Sequence, residues 1–85
     1  MPPIVIYTKS FCPYCHAAKD LLRRKGAAFE EISVDGDRAA QAAMALKAGG
    51  RSTVPQVFIG AAHVGGCDDL YDLESAGRLD SLLAA

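Results

Sequence analysis

The chain alternates short apolar runs with stretches in which hydrophobic residues recur every three or four positions. Ile4-Val5-Ile6-Tyr7 is a β-branched and aromatic run behind two prolines, the pattern of a strand buried on both faces. From Pro13 onward, Ala17, Ala18, Leu21 and Leu22 fall at helical spacing. Lys19, Asp20, Arg23, Arg24 and Lys25 take the opposite face, and Gly26 supplies a stop. Ala28 to Val34 turns strand-like in its second half, where Ile32 and Val34 flank Ser33, and Asp35-Gly36-Asp37 punctuates it. A strand, a helix and a strand within about 35 residues predict a right-handed βαβ unit with parallel strands.

Arg38 to Ala48 is alanine-rich, carries Met44 and Leu46 and contains no breaker. It is a helix by propensity with a weak apolar face, ended by Gly49-Gly50. Val54 to Ile59 reads as a strand entered through Pro55, and Gly60-Ala61-Ala62 joins it to His63-Val64 as a hairpin. After Gly65-Gly66, Asp68 and Asp69 precede Leu70, Leu73 and Ala76 at near-helical spacing. The acids sit where a helix dipole favours them, Gly77 closes the helix, and Leu79 to Ala85 adds one more turn. The order β-α-β-α-β-β-α contains no repeat and no long linker, and predicts one α/β sandwich domain over residues 1–85.

Composition narrows the function classes. Of 85 residues, 51% are apolar and 22% charged, which excludes a disordered chain. Nine Lys plus Arg against ten Asp plus Glu give a net charge of -1, so no broad field exists to grip nucleic acid or an anionic membrane, and neither is expected as a partner. Three cysteines, two of them only three positions apart, do not form the even framework of a secreted disulfide-stapled domain and point to a reducing cytoplasm. Met1 to Tyr7 has no basic segment and reads as the start of a strand rather than an export signal. The longest charge-free stretch, Ser52 to Cys67, is shorter than the roughly 18 residues a bilayer span needs and is broken by Pro55, Gly60 and His63.

The chemistry concentrates at Cys12-Pro13-Tyr14-Cys15, where the first strand hands over to the first helix. C-x-x-C beside a βαβ pattern is a redox signal. A cysteine at a helix N-terminus faces unpaired backbone N–H groups and the positive end of the dipole, and Lys9 lies three residues upstream. Such thiols have pKa values of roughly 3.5–7.5 instead of about 8.5, which makes Cys12 the nucleophile. Pro13 suits the first helical position because its missing N–H has no helical partner there. Cys15, almost one turn further on the same side, is placed to resolve a mixed disulfide on Cys12. Three competing readings are weaker. A pair of packing cysteines does not account for the position after a buried strand and before a helix. C-x-x-C-H with His16, a c-type haem pattern, lacks an export signal and sits ahead of a β-rich half. Zinc on Cys12, Cys15 and His16 or His63 lacks a second close ligand pair. His16 is then a surface residue of the first turn, His63 packs or hydrogen-bonds within the hairpin, and no metal site is expected.

Three segments together resemble the glutaredoxins, and among them the short dithiol type of bacteria. These are Tyr7-Thr8-Lys9-Ser10-Phe11-Cys12-Pro13-Tyr14-Cys15, Thr53-Val54-Pro55-Gln56-Val57-Phe58-Ile59 and Gly65-Gly66-Cys67-Asp68-Asp69-Leu70. The resemblance implies a thioredoxin-like α/β fold, a four-stranded mixed sheet flanked by three helices. It also implies a monomeric enzyme without a tightly bound cofactor, which uses glutathione as co-substrate to reduce protein disulfides and protein–glutathione mixed disulfides. Pro55 is then cis, and the Val54 backbone pairs with the cysteinyl part of glutathione. The glutathione-binding set implied is Lys9, Tyr14, Arg51, Thr53, Val54, Pro55, Gly66, Cys67, Asp68 and Asp69. Within it Asp69 accepts the γ-glutamyl ammonium, and Lys9 and Arg51 meet the glycyl carboxylate. A glycine pair before a helix N-terminus independently suits close approach by a carboxylate, although helix capping alone also accounts for Asp68 and Asp69, and a solvated loop charge for Arg51. Cys67 is expected to be non-catalytic. Two other functions compete with this one. The first is a redoxin recharged by a flavin reductase. The second is an iron–sulfur carrier holding a cluster between two chains with Cys12 and glutathione, which Pro13 and Cys15 disfavour.

Overall fold

The computed structural model describes residues 2–85, so that Met1, at the head of the run into the first strand, lies outside the described residues. The elements are β1 (Ile4–Thr8), α1 (Pro13–Arg24), β2 (Glu30–Ser33), α2 (Arg38–Lys47), β3 (Gln56–Ile59), β4 (Ala62–Gly65), α3 (Cys67–Ser75) and α4 (Leu79–Ala84). The strands form one sheet in the order β2-β1-β3-β4. β1 is parallel to β2 and antiparallel to β3, and β3 and β4 make the expected antiparallel hairpin. This is the mixed four-stranded sheet of a thioredoxin-like fold.

Alternation along β1 divides the interior into two layers. Ile4 and Ile6 face one side, where they join Val57, Ile59, Leu21, Leu22, Leu70, Leu79 and Leu83 in the larger core beneath α1, α3 and α4. Tyr7 faces the other side and packs with Val34 and Met44 under α2. The strand is therefore covered on both faces, as its uninterrupted apolar run predicts. The weak face of α2 shows in its packing. Met44 is fully buried, whereas Leu46, grouped with it in the sequence, is 84% exposed.

Helix ends follow the glycines. After α1, Gly26 takes φ 69 and the Gly26 and Ala27 N–H groups donate to the Arg23 and Leu22 carbonyls. After α3, Gly77 takes φ 71 and Gly77 and Arg78 donate to Glu74 and Leu73. This left-handed closure reverses the chain direction, because a residue without Cβ adopts positive φ at little cost. Consequently the C-terminal turn is not an extension of α3 but a separate helix, α4, a fourth where the resemblance implies three. Its Leu79 and Leu83 complete the core. Lys25 pairs with Glu74 at 2.7 Å and Asp80 at 3.0 Å, fastening the end of α1 to α3 and α4.

Candidate active site

The loop between β1 and α1 is held from two sides. The Ser10 N–H donates to Asp35 Oδ2 at 2.8 Å, and the Ser10 hydroxyl donates to the same oxygen. Both bonds hold the Asp35 carboxyl below its usual pKa range, with the Ser10 hydroxyl the main cause. Two residues earlier, at the end of β1, the Thr8 hydroxyl donates to Glu31 Oε2 at 2.7 Å, and Lys19 meets the same oxygen at 3.0 Å. Thr8, Lys19 and Glu31 thereby tie β1, α1 and β2 together immediately below the reactive loop. The Glu31 pKa is lowered by the Thr8 hydroxyl and then by Lys19.

Cys12 is the N-cap of α1, with extended backbone at φ -140, and Pro13 begins the helix. Its Sγ accepts a hydrogen bond from the Cys15 N–H at 3.1 Å. This is the cap position at which a helix offers free N–H groups to an acceptor. Cys12 and Cys15 form a disulfide with their Cα atoms 5.2 Å apart. Cys12 is 8% exposed and Cys15 0%, so Cys12 is the sulfur an incoming molecule meets first.

The Val54–Pro55 bond is cis, and the Val54 carbonyl oxygen lies 3.9 Å from Cys12 Sγ. Thr53, Val54 and Pro55 form one wall of an open groove of about 140 Å³, Tyr14 borders it, and Gly66 to Asp69 with Arg51 form the opposite wall. The first turns of both α1 and α3 thus reach this groove. Of the ten residues assigned to it by resemblance, only Lys9 is not on its walls. Lys9 stays on the β1–α1 loop, where its charge also favours the Asp35 carboxylate.

On the groove wall the Arg51 guanidinium pairs with Asp69 Oδ2 at 3.0 Å. Asp69 also accepts the Gly66 N–H at 2.9 Å, and this bond, followed by Arg51, lowers its pKa. The missing Cβ of Gly65 makes the arrangement possible. Gly65 has φ 115, and a Cβ there would lie 2.8 Å from Arg51 Nη1 and 2.9 Å from the Asp69 carboxyl carbon. Cys67, the first residue of α3, is 8% exposed and unpaired, and burial followed by the Asp68 charge pushes its thiol pKa up.

Gln56 supports the site although sequence patterning does not single it out. Fully buried, it donates from Nε2 to the Thr53 carbonyl at 3.0 Å and the Thr53 hydroxyl at 3.3 Å. Its Oε1 lies 2.7 Å from His63 Nε2, and the His63 ring stacks on Phe58 at 4.9 Å. The only sequence signal is one polar side chain inside the apolar run of β3. His63 accordingly serves the hairpin, and His16 is an exposed residue of the first turn of α1. Among the described residues no helix is long and apolar enough to cross a membrane.

A recessed vicinal pair at a helix N-terminus, beside a cis-proline loop, is suited to thiol–disulfide exchange. A family profile described as Glutaredoxin matches residues 4–64. The chain is 60% identical to a glutaredoxin of Pseudomonas aeruginosa over 85 residues, covering 100% of both chains. It is 55% identical to glutaredoxin 3 of Escherichia coli over 83 residues, covering 98% of this chain and 99% of the relative. The crystal structure of a buckwheat glutaredoxin–glutathione complex superposes with a TM-score of 0.88 at 37% identity, covering 98% of this chain and 77% of that one. The protein is a thiol–disulfide oxidoreductase, and it belongs to the glutaredoxin family.

Proposed function

We propose that the protein is a glutathione-dependent reductase of protein–glutathione mixed disulfides and protein disulfides, acting as a monomeric single domain in the cytoplasm. The observation that carries the reading is the groove itself. It runs from the Val54 carbonyl beside Cys12 to the Arg51–Asp69 pair, with the N-terminal turn of α3 between them. Glutathione presents a matching series of groups, a sulfur with flanking peptide bonds followed by an α-amino acid end. Val54 takes the cysteinyl backbone, and Gly66, Cys67 and Asp68 lie along the γ-glutamyl arm. Asp69 accepts its ammonium and Arg51 joins that same end. Tyr14, Thr53 and Pro55 shape the walls, and Lys9 supplies the cation for the glycyl carboxylate. The buckwheat relative whose structure holds glutathione supports the assignment.

The Cys12 thiolate attacks the glutathione sulfur of a mixed disulfide, the old S–S bond breaks, and the protein thiolate departs to take a proton from water. A second glutathione thiolate then attacks the bound glutathione sulfur, releasing oxidised glutathione and the Cys12 thiolate. For a protein disulfide, Cys12 forms the mixed disulfide and Cys15 displaces the product thiolate. The resulting Cys12–Cys15 disulfide is reduced by two glutathiones, consistent with the reduction potentials of about -200 to -230 mV found for glutaredoxins.

Intact mass and peptide mapping of Cys15→Ser after exposure to oxidised glutathione test the reading. One glutathione on Cys12, removed by reduced glutathione, is expected. In turnover assays Cys12→Ser is inactive, whereas Cys15→Ser still deglutathionylates. No adduct, or an adduct confined to Cys67, sinks the proposal.

A further inference from the structure

Among the described residues the most exposed large apolar side chain is Phe11, at 101% of full accessibility, next to a nucleophile that is 8% exposed. A phenyl ring in that state contributes nothing to the core, and Tyr14, two residues beyond Cys12, is itself 65% exposed. The ring is not carried on a loose loop. The preceding residue is clamped to Asp35 by its backbone N–H at 2.8 Å and by its hydroxyl. The following residue caps α1 and is linked to Cys15. The backbone carrying Phe11 is therefore held on both sides, and its apolar ring stands in solvent one residue from the reacting cysteine.

The exchange chemistry states what must come to this ring. In attack on a glutathione mixed disulfide the departing target sulfur stands in line beyond the glutathione sulfur, about two S–S lengths or roughly 4 Å from Cys12 Sγ, and with a protein disulfide the target cysteine bonds to Cys12 directly, with Cα atoms about 4.4–6.8 Å apart. The Phe11 Cα is one trans peptide, about 3.8 Å, from that of Cys12, and the partner's flanking residues are equally close to the partner's cysteine. Glutathione, on the reading above, occupies the Val54-to-Asp69 groove, and Phe11 is not among the residues that line it. We propose that Phe11 is a specificity-determining docking residue for the polypeptide that carries the target cysteine, and that it favours targets with an aliphatic residue beside that cysteine. An aromatic side chain has only two rotatable bonds to immobilise on binding, and aromatic anchors that become buried carry much of the energy of a contact patch. The inference rests on the glutathione reading and adds the class of protein target it serves.

The test compares three substrates with reduced glutathione as co-substrate: a glutathionylated Gly-Leu-Cys-Leu-Gly peptide, a glutathionylated Gly-Gly-Cys-Gly-Gly peptide, and the mixed disulfide of glutathione with mercaptoethanol. Rates are divided by those of the uncatalysed reactions, which removes differences in intrinsic reactivity. The parent protein is expected to prefer the leucine peptide about five- to tenfold in kcat/KM, chiefly through a lower KM. Phe11→Ser reduces that ratio to below about twofold while leaving turnover of the mercaptoethanol disulfide unchanged, because that substrate has no polypeptide to reach the ring. Phe11→Leu, which keeps an apolar knob, restores most of the preference. A parent protein with no preference, or a preference that survives in Phe11→Ser, overturns the inference while leaving the glutathione reading intact. Failure of the parent protein to turn over the mercaptoethanol disulfide overturns both.

Discussion

Replacing Gly65 by alanine tests whether its missing Cβ lets Arg51 and Asp69 pack together on the groove wall, and Gly77→Ala supplies the reference. Gly77 has φ 71 and nothing within 4 Å of where a Cβ would stand. Its substitution therefore carries only the left-handed backbone penalty of about 1 kcal/mol. In a domain of this length 1 kcal/mol lowers Tm by about 4–8 °C. Gly65 has φ 115, and its Cβ would intrude on the Arg51 guanidinium at 2.8 Å and the Asp69 carboxyl carbon at 2.9 Å. Backbone strain there costs about 1–3 kcal/mol. Displacing Asp69 also loses the Gly66 N–H bond, about 1 kcal/mol. The Arg51–Asp69 pair adds little, because both side chains are nearly half exposed at 47% and 43%. The sum is about 3 kcal/mol, a fall of about 12–24 °C. Thermal melts of both variants by circular dichroism at neutral pH measure the stability difference, and the KM for glutathione, expected to rise in Gly65→Ala alone, measures the damage to the groove. If Gly65→Ala melts together with Gly77→Ala and keeps its KM, the close packing of Arg51 and Asp69 over Gly65 is refuted.

Two further outcomes follow from charge and burial. The Glu31 pKa lies below its ordinary 4.5 because the Thr8 hydroxyl and Lys19 favour the carboxylate. A lowered folded-state pKa gives stabilisation that is present above 4.5 and lost as pH falls through the folded value. Glu31→Gln is therefore expected to melt lower at pH 7 and to lose less of its Tm between about pH 5 and pH 3 than the parent. Equal losses remove Glu31 from the acid response. In the oxidised protein Cys67 is the only thiol, and its raised pKa leaves little thiolate at neutral pH. Iodoacetamide is expected to label it at least about tenfold more slowly than free cysteine, with denaturant restoring the rate, and fast labelling of the native protein contradicts its burial.

What the sequence made legible was local. The β-branched run of β1, the helical spacing of Ala18, Leu21 and Leu22, and the glycines at 26, 49 and 77 mark elements and ends through contacts a few residues apart. The dithiol is equally local, since the cap, Pro13 and both cysteines lie within one turn. Less legible were pairings between distant parts of the chain. Ser10 and Asp35 are 25 residues apart, Thr8 and Glu31 are 23, and Arg51 and Asp69 are 18. No periodicity encodes which carboxylate each meets, because the sheet order decides it. The pairing of Arg51 with Asp69 depends on the missing Cβ of Gly65, a requirement that no spacing pattern encodes. The Leu79 turn became α4 for a related reason. Gly77 and the Arg78–Leu73 hydrogen bond set its direction, and the larger core had room for Leu79 and Leu83.

The hydrogen bond from the Cys15 N–H to Cys12 Sγ bears on the end of each catalytic cycle as well as its beginning. An N–H directed at a sulfur stabilises it more as a thiolate than as a disulfide sulfur, because the charged acceptor makes the stronger bond. The group that enters the reaction readily is by the same contact a good leaving group, since exchange is faster when the expelled thiol has a low pKa. A covalent adduct on Cys12 is thus readily exchanged once an incoming thiolate reaches it. One backbone N–H serves both attack on the substrate and release of the enzyme.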